Sequence, residues 1–291
     1  MINSMIVDHG SSPKLEDIDG PKTAKEALHR MVIIPFKRRD LFGGIRKQTK
    51  GLLLFGPPGT ETTMAMLAKA AASESEATFF HVSASSLTSE LYGEGPKFVR
   101  TLFEVALFRS PSVIFIDEID SFLSASLASE NEAIRVLKTQ SIIICYAILF
   151  SYAIAGATNK PQDLDAGVLR RLESRIYIPL PDADSRTLFF KKRLIGPEFY
   201  LPDSDIDKLV KETRGYSGNE LDYLCTEASM KPITELRKLG KDWRTVLKNE
   251  VRGLKYEDFQ LAMHVIRPSL GERDWEELEQ WNRKFGCTPT N

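Results

Sequence analysis

Residues 51–72 read GLLLFGPPGTETTMAMLAKAAA: an apolar run of strand type, a turn rich in Gly and Pro, and a segment of helical character. A strand that turns sharply into a helix commits the chain to an α/β arrangement, because the helix must pack back onto a sheet. Four more short apolar runs follow, TFFHV (78–82), VIFID (113–117), YAIAGA (152–157) and RIYIPL (175–180), with helical segments between them. The expected fold is therefore α/β, a parallel sheet flanked by helices. After PLPDAD the character changes. SRTLFFKKRL, SDIDKLVKET, GNELDYLCTEASMKPITELRKLG and YEDFQLAMHVI carry helical apolar spacing and almost no strand-like runs. A smaller helical domain is expected from about residue 184.

The turn itself, Gly56-Pro57-Pro58-Gly59-Thr60-Glu61-Thr62-Thr63, is set against the phosphate-loop pattern G-x-x-x-x-G-K-[ST]. In such a loop, backbone N–H groups point at a phosphate at the positive end of the following helix. Gly56, Pro57, Pro58, Gly59 and Thr60 keep that half of the pattern, and Thr63 keeps the hydroxyl that would bind Mg²⁺. The charge has gone: Glu61 stands where the second Gly belongs and Thr62 where the Lys belongs. Two unit charges about 4 Å apart interact by about 4 kcal/mol at an effective dielectric of 20. Losing an attraction and gaining a repulsion of that size predicts weak or absent nucleotide binding. Lys69, two helical turns on, cannot replace the missing cation.

The run VIFIDEID ends in Asp117-Glu118, then Asp120. A carboxylate at a strand's end can hold Mg²⁺, and its neighbour can polarise a water for in-line attack on phosphate. Asp117 is the candidate metal residue and Glu118 the candidate catalytic one. A formal net charge of −1 gives no long-range preference for nucleic acid, and no direct nucleic-acid partner is expected. Cys145, Cys225 and Cys287 form no metal-binding spacing, so reduced thiols are expected. The start MINSMIVDHGSSPKLED lacks the basic and apolar regions of a signal peptide. Ser141–Gly156 (SIIICYAILFSYAIAG) carries no charge, but sixteen residues fall short of the roughly 20 of a membrane span. A helix end running into a buried strand is expected there, and no membrane association.

GPPGT, VIFIDEID, AGATNKPQDLD and LRRLESRIYIPLP, in this order, resemble the AAA ATPases, and most closely the microtubule-severing subgroup of fidgetin-like, spastin and katanin proteins. ATFFHVSASSLTS, MIVDHG, EDIDG and the C-terminal IRPSL…LEQWNRKFGC resemble the fidgetin-like and spastin members. The resemblance implies ATP and Mg²⁺ as cofactors and a hexamer of like or related AAA subunits. It also implies a polypeptide substrate such as a tubulin tail, and a cytoplasmic or nuclear place near microtubules. Asn159 matches the sensor that positions the attacking water. Arg170 and Arg171 match paired arginine fingers that reach a neighbouring subunit's γ-phosphate. Gly218, in GYSGNEL, matches the lid turn beside the adenine, and Asp17, Ile18 and Gly20 match the pocket's other wall, with Asp19 in place of a small apolar residue. The spans implied are 1–50 for a linker and adenine-pocket segment, 51–183 for the nucleotide-binding subdomain, 184–265 for the lid and 266–291 for a C-terminal helix.

The substrate-facing positions depart from the family. Its first pore loop carries Lys, an aromatic, one further residue and Gly; here the stretch is Glu90-Leu91-Tyr92-Gly93, in which a cation has become an anion. An acidic tail should find Glu90 repulsive. Of the second pore loop only Glu132, Ala133 and Arg135 fit, within 128–136. These losses, together with those at the P-loop, leave two expectations. One is an ATP-dependent remodelling enzyme with weakened activity; the other is a pseudo-ATPase that serves as a binding or regulatory subunit in family rings.

Overall fold

Every residue of Gly51–Phe55 is buried, as a strand covered on both faces must be, which is why the run is continuously apolar. The computed structural model describes residues 6–7, 14–18, 20–46, 48–49, 51–83, 95–124, 152–238, 247 and 250–287. Asp19, the pore-loop residues Glu90, Leu91, Tyr92 and Gly93, the stretch 128–136 and residues 141–151 of the uncharged run lie outside these.

The chain divides into two compact units, residues 1–57, 61–179 and 275–291 forming the first and residues 58–60 and 180–274 the second. The first unit begins with β1 (Ile6–Val7), α1 (Lys22–Leu28), a π-helical turn and α2 (Ile34–Lys37). It continues with β2 (Gly51–Phe55), α3 (Glu61–Glu74), β3 (Thr78–Ser83), α4 (Gly95–Phe108), β4 (Ser112–Asp117), α5 (Ile119–Leu123), β5 (Tyr152–Thr158), α6 (Ala166–Arg171) and β6 (Ser174–Tyr177). The sheet order is β1-β3-β4-β5-β2-β6, parallel except for the antiparallel edge strand β1. All five apolar runs anticipated as strands are strands. β1 was not anticipated as one, since two residues are too few to show a period. The uncharged run ends in β5, and among the described residues no helix is long and apolar enough to cross a membrane.

Side-chain alternation splits the core in two. Leu52, Leu54, Phe79, Val113, Phe115 and Ala155 face one way, onto Leu67 and Ala71 of α3 and Leu28 of α1. Leu53, Phe55, Phe80, Ile114, Ile116 and Ile154 face the other, onto Val99, Leu102 and Phe103 of α4. Each such Leu, Ile or Phe contributes about 1.5–3 kcal/mol on burial.

In the second unit, α7 (Ala183–Arg193), α8 (Asp203–Glu212), α9 (Gly218–Lys238) and α10 (Tyr256–Met263) enclose Phe190, Leu209, Leu221, Leu224, Phe259 and Ala262. Arg252 forks onto Asp258, with Nη1 to Oδ2 and Nη2 to Oδ1 both at 2.7 Å, and also reaches Glu235. The final helix, α11 (Glu272–Phe285), carries Leu278 into the α4-side core of the first unit. Its Trp281 stands edge-on to Phe55, with ring centroids 4.6 Å apart.

Candidate functional site

Parallel pairing puts β5 and β4 beside the P-loop strand. Phe55 lies opposite Thr158 and Ile116 opposite Gly156, so the carboxyl ends of the three strands open on one side. Ligands of open α/β sheets bind at such an edge. The loop leaves β2 with Gly56 N donating to Thr158 O at 3.3 Å, which ties it to the residue before Asn159. Gly59 has φ +84, in the left-handed region where a side chain is strained. Thr60 is buried.

At the first turn of α3, Glu61 is half-buried, Thr62 exposed and Thr63 half-buried. Glu61 Oε1 accepts from Asn159 Nδ2 at 3.3 Å. The acidic substitution and the candidate sensor are therefore in contact. The sensor turn has its own support: Thr158 Oγ1 donates to Asp120 Oδ1 at 2.6 Å and accepts from Lys160 N at 3.0 Å. Asp120, noted in the sequence without a role, is what holds Thr158.

β4 delivers Asp117 and Glu118. Asp117 is half-buried, and its Oδ1 accepts from Glu118 N at 2.9 Å. Glu118 is exposed and has φ 51 and ψ 44, a left-handed conformation that a non-glycine residue rarely adopts. Such strain gathers at functional positions. Asp117 Oδ2 lies 3.8 Å from His81 Nε2. His81 was missed in the sequence, although its signal was there, a polar residue breaking the apolar strand TFFHV.

The two arginines differ. Arg170 is exposed; Arg171 is half-buried, with Nη1 donating to Gly167 O at 2.8 Å, on a helix capped by Asp165. The backbone carbonyl of Arg171 lies against Gly51, where a Cβ would collide with it. Of the other candidates, Ile18 is buried and Gly20 faces Thr63 and Leu67 of α3, each 3.7 Å from where a Cβ would stand. Asp17 turns its carboxylate back to Lys14 N at 3.1 Å. In the second unit, Gly218 opens α9 beneath a capping pair, Ser217 N to Glu220 Oε2 at 2.7 Å and Glu220 N to Ser217 Oγ at 3.3 Å.

The structure thus brings together two hydrogen-bonded pairs, Glu61 with Asn159 and Asp120 with Thr158, joined through the consecutive residues 158 and 159, with Asp117 at the end of the neighbouring strand and Glu118 just after it. Among the described residues, no group of three or more His, Cys, Asp or Glu gathers in a way that could hold a metal by itself.

Residues 52–180 match the profile of the ATPase family associated with various cellular activities (AAA), and residues 203–247 match that of the AAA+ lid domain. Fidgetin-like protein 1 of Caenorhabditis briggsae is 43% identical over 293 residues, covering 99% of this chain and 49% of that protein. Spastin of Bos taurus is 42% identical over 292 residues, covering 99% and 47%. The chain spans about half the length of these relatives. Among solved structures, the crystal structure of the FIGL-1 AAA domain in complex with ADP superposes with a TM-score of 0.88 at 41% identity, covering 98% of this chain and 95% of that one. A katanin structure described for its self-assembly gives 0.80 at 31%, covering 96% and 94%.

Proposed function

Because the chain belongs to the AAA ATPases, in the subgroup of fidgetin-like, spastin and katanin proteins, we propose that it is a remodelling ATPase domain whose own ATP binding and hydrolysis are weakened at the P-loop. The observation that carries this reading is the hydrogen bond between Glu61 and Asn159. A carboxylate at the start of α3 already takes up the favourable field of the helix N-terminus. It also engages the amide that the family uses on the attacking water. With Thr62 in place of Lys, no P-loop cation offsets it. A tightly held triphosphate does not fit a loop so charged, although the backbone half of the cradle is kept.

For a divalent cation the residues do fit. Thr63 and Asp117 would hold it, and it would supply charge neutralisation at phosphate oxygens. Glu118 would act as base toward water, and Asn159, once released from Glu61, would orient that water. Arg170 and Arg171 would serve a neighbouring subunit, which requires a ring. The substrate class is a polypeptide, with the tubulin tail as the first candidate, acted on in the cytoplasm or nucleus.

A second reading is favoured by Arg170, which is exposed on α6: a pseudo-ATPase can complete a partner subunit's site while its own pocket stays empty. Calorimetric titration with ATP and Mg²⁺ tests the first reading, using the natural chain beside the variant Glu61→Gly, Thr62→Lys. Weak binding that the double change restores supports it. Micromolar binding by the natural chain refutes the charge argument. No turnover by the natural chain, even in mixed rings with an intact family member, favours the second reading.

A further inference from the structure

From the last residue of α2 to the start of β2 the chain carries Lys37, Arg38, Arg39, Arg46, Lys47 and Lys50 against a lone acid, Asp40, although the whole sequence balances 39 basic residues with 40 acidic ones. Every residue of 37–46 is exposed except the half-buried Phe42. Two short turns shape the stretch. Phe42 N donates to Arg39 O and Arg46 N to Gly43 O, both at 3.1 Å, and Gly43 forms an antiparallel bridge with Arg46. Gly44 takes φ +59, the left-handed conformation that closes so tight a turn. A Cβ on Gly43 or Gly44 would meet nothing within 4 Å, so the tip of the turn faces open space. There Ile45 is fully exposed, at 101%, and Leu41 is 44% exposed. Arg38 forks onto Asp40, Nε to Oδ1 at 2.9 Å and Nη2 to Oδ2 at 2.7 Å, which neutralises the one acid. No carboxylate among the described residues pairs with Lys37, Arg39 or Arg46.

An apolar knob among cations is not a groove, and peptides are held in grooves or along sheet edges. A lipid surface does accept a knob, because an apolar tip enters between headgroups while cations meet their phosphates. We propose that the turn 37–46 docks peripherally on a bilayer rich in anionic phospholipid, with Ile45 and Leu41 as the inserted side chains and Lys37, Arg39 and Arg46 as the headgroup contacts. The expectation of no membrane association came from the uncharged run, which bears on spanning a bilayer and not on lying against one. Each Lys or Arg near an anionic surface strengthens binding about fivefold, and burying one Ile about tenfold. These factors are modest, so the contact is reversible and weakens as salt screens it. Nucleotide plays no part, since the turn precedes β2 and shares no residue with the P-loop.

The test is flotation of the natural chain with vesicles of phosphatidylcholine alone and with vesicles of an equal mixture of phosphatidylcholine and phosphatidylserine. Polyglutamate, which offers negative charge without a bilayer, is titrated separately. The expected result is binding to the mixed vesicles and not to phosphatidylcholine alone, weakened by added salt. The variant Lys37→Gln, Arg39→Gln, Arg46→Gln should lower the partition at least about tenfold, and Ile45→Ser about tenfold. All four positions are exposed, so neither variant empties a core, and circular dichroism checks the fold. No binding to the mixed vesicles, or equal binding to both kinds, overturns the proposal. Unchanged binding by the folded triple variant places the contact elsewhere and overturns it too. Binding lost with the three cations but unchanged in Ile45→Ser overturns insertion of the tip. If polyglutamate binds the natural chain and the mixed vesicles do not, the turn recognises an acidic polypeptide and the proposal falls.

Discussion

Asn159 donates its side-chain amide to Glu61, Nδ2 to Oε1 at 3.3 Å. The residue that replaces a P-loop glycine is thereby bound to the residue that the family places beside the attacking water. The two alterations at 61 and 62 are then unequal in kind: one removes a cation, and the other adds an anion that has a partner.

Restoring the cation alone should not restore the loop. In Thr62→Lys the Glu61 carboxylate still stands at the start of α3, where its repulsion of a phosphate is worth up to about 4 kcal/mol at 4 Å and a dielectric of 20. Each 1.4 kcal/mol is about tenfold in affinity. The expected order of ATP affinity by calorimetry is natural chain, then Thr62→Lys, then Glu61→Gly/Thr62→Lys, the last at least about tenfold tighter than the single change. Equal affinities for the single and double variants would show that Glu61 is silent.

Thr158→Val keeps the shape of the side chain and removes the hydroxyl that bridges Asp120 and Lys160. Two partners lose their hydrogen bond, and each such loss is worth about 1–3 kcal/mol where solvent cannot compensate. Urea unfolding should show a loss of about 1–3 kcal/mol, whereas Thr158→Ser should stay close to the parent.

Trp281 links the C-terminal helix to the P-loop strand through Phe55, and Arg175 sits over its ring at 6.0 Å. Replacing a fully buried Trp by Ala costs about 3–5 kcal/mol. For this half-buried ring, Trp281→Ala is expected to cost about 2–3 kcal/mol in thermal unfolding. A loss below about 0.5 kcal/mol, the scale of an ordinary surface change, would mean that α11 contributes little to the first unit.

Asp258 is nearly fully buried, and burial by itself would raise its pKa. The hydrogen bonds from Arg252 and from Lys255 N outweigh that and hold the carboxyl below its ordinary 3.8. The folded value lies below the unfolded one, so the stabilisation is present above the ordinary value and disappears as the pH falls through the depressed one. The second unit should therefore weaken below about pH 4. Arg252→Ala, which strips a buried carboxylate of its partner, should cost about 3 kcal/mol at neutral pH. It should also move the acid transition to higher pH, read by circular dichroism.

Burial pushes the Cys225 thiol up to about 12, whereas Cys287 is exposed. Since the thiolate is the reactive form, iodoacetamide at neutral pH should label Cys287 long before Cys225, as read by peptide mass spectrometry. Comparable labelling rates would place Cys225 outside the core of the second unit.

The five apolar runs were legible as strands because burial on both faces demands continuous apolar sequence, and that demand is local. The helical second half was legible for the same reason, from its 3.6-residue spacing. Motif spacing also led to Asp117, Glu118 and Gly59 one by one, and to the altered residues Glu61 and Thr62, whereas Asn159 was reached through the family resemblance. What no spacing contains is which of these touch. Glu61 and Asn159 are 98 residues apart, and they meet because β2 and β5 pair in parallel with Phe55 opposite Thr158. His81 lay inside an apolar strand, where its type read as an irregularity, until register set it across from Asp117. Arg170 and Arg171 read as equivalent neighbours, yet successive residues on a helix point about 100° apart, and only one of them turns back to Gly167. Local patterning is written in consecutive residues; strand order and register are settled by how whole faces bury one another, and the contacts of the site follow from that.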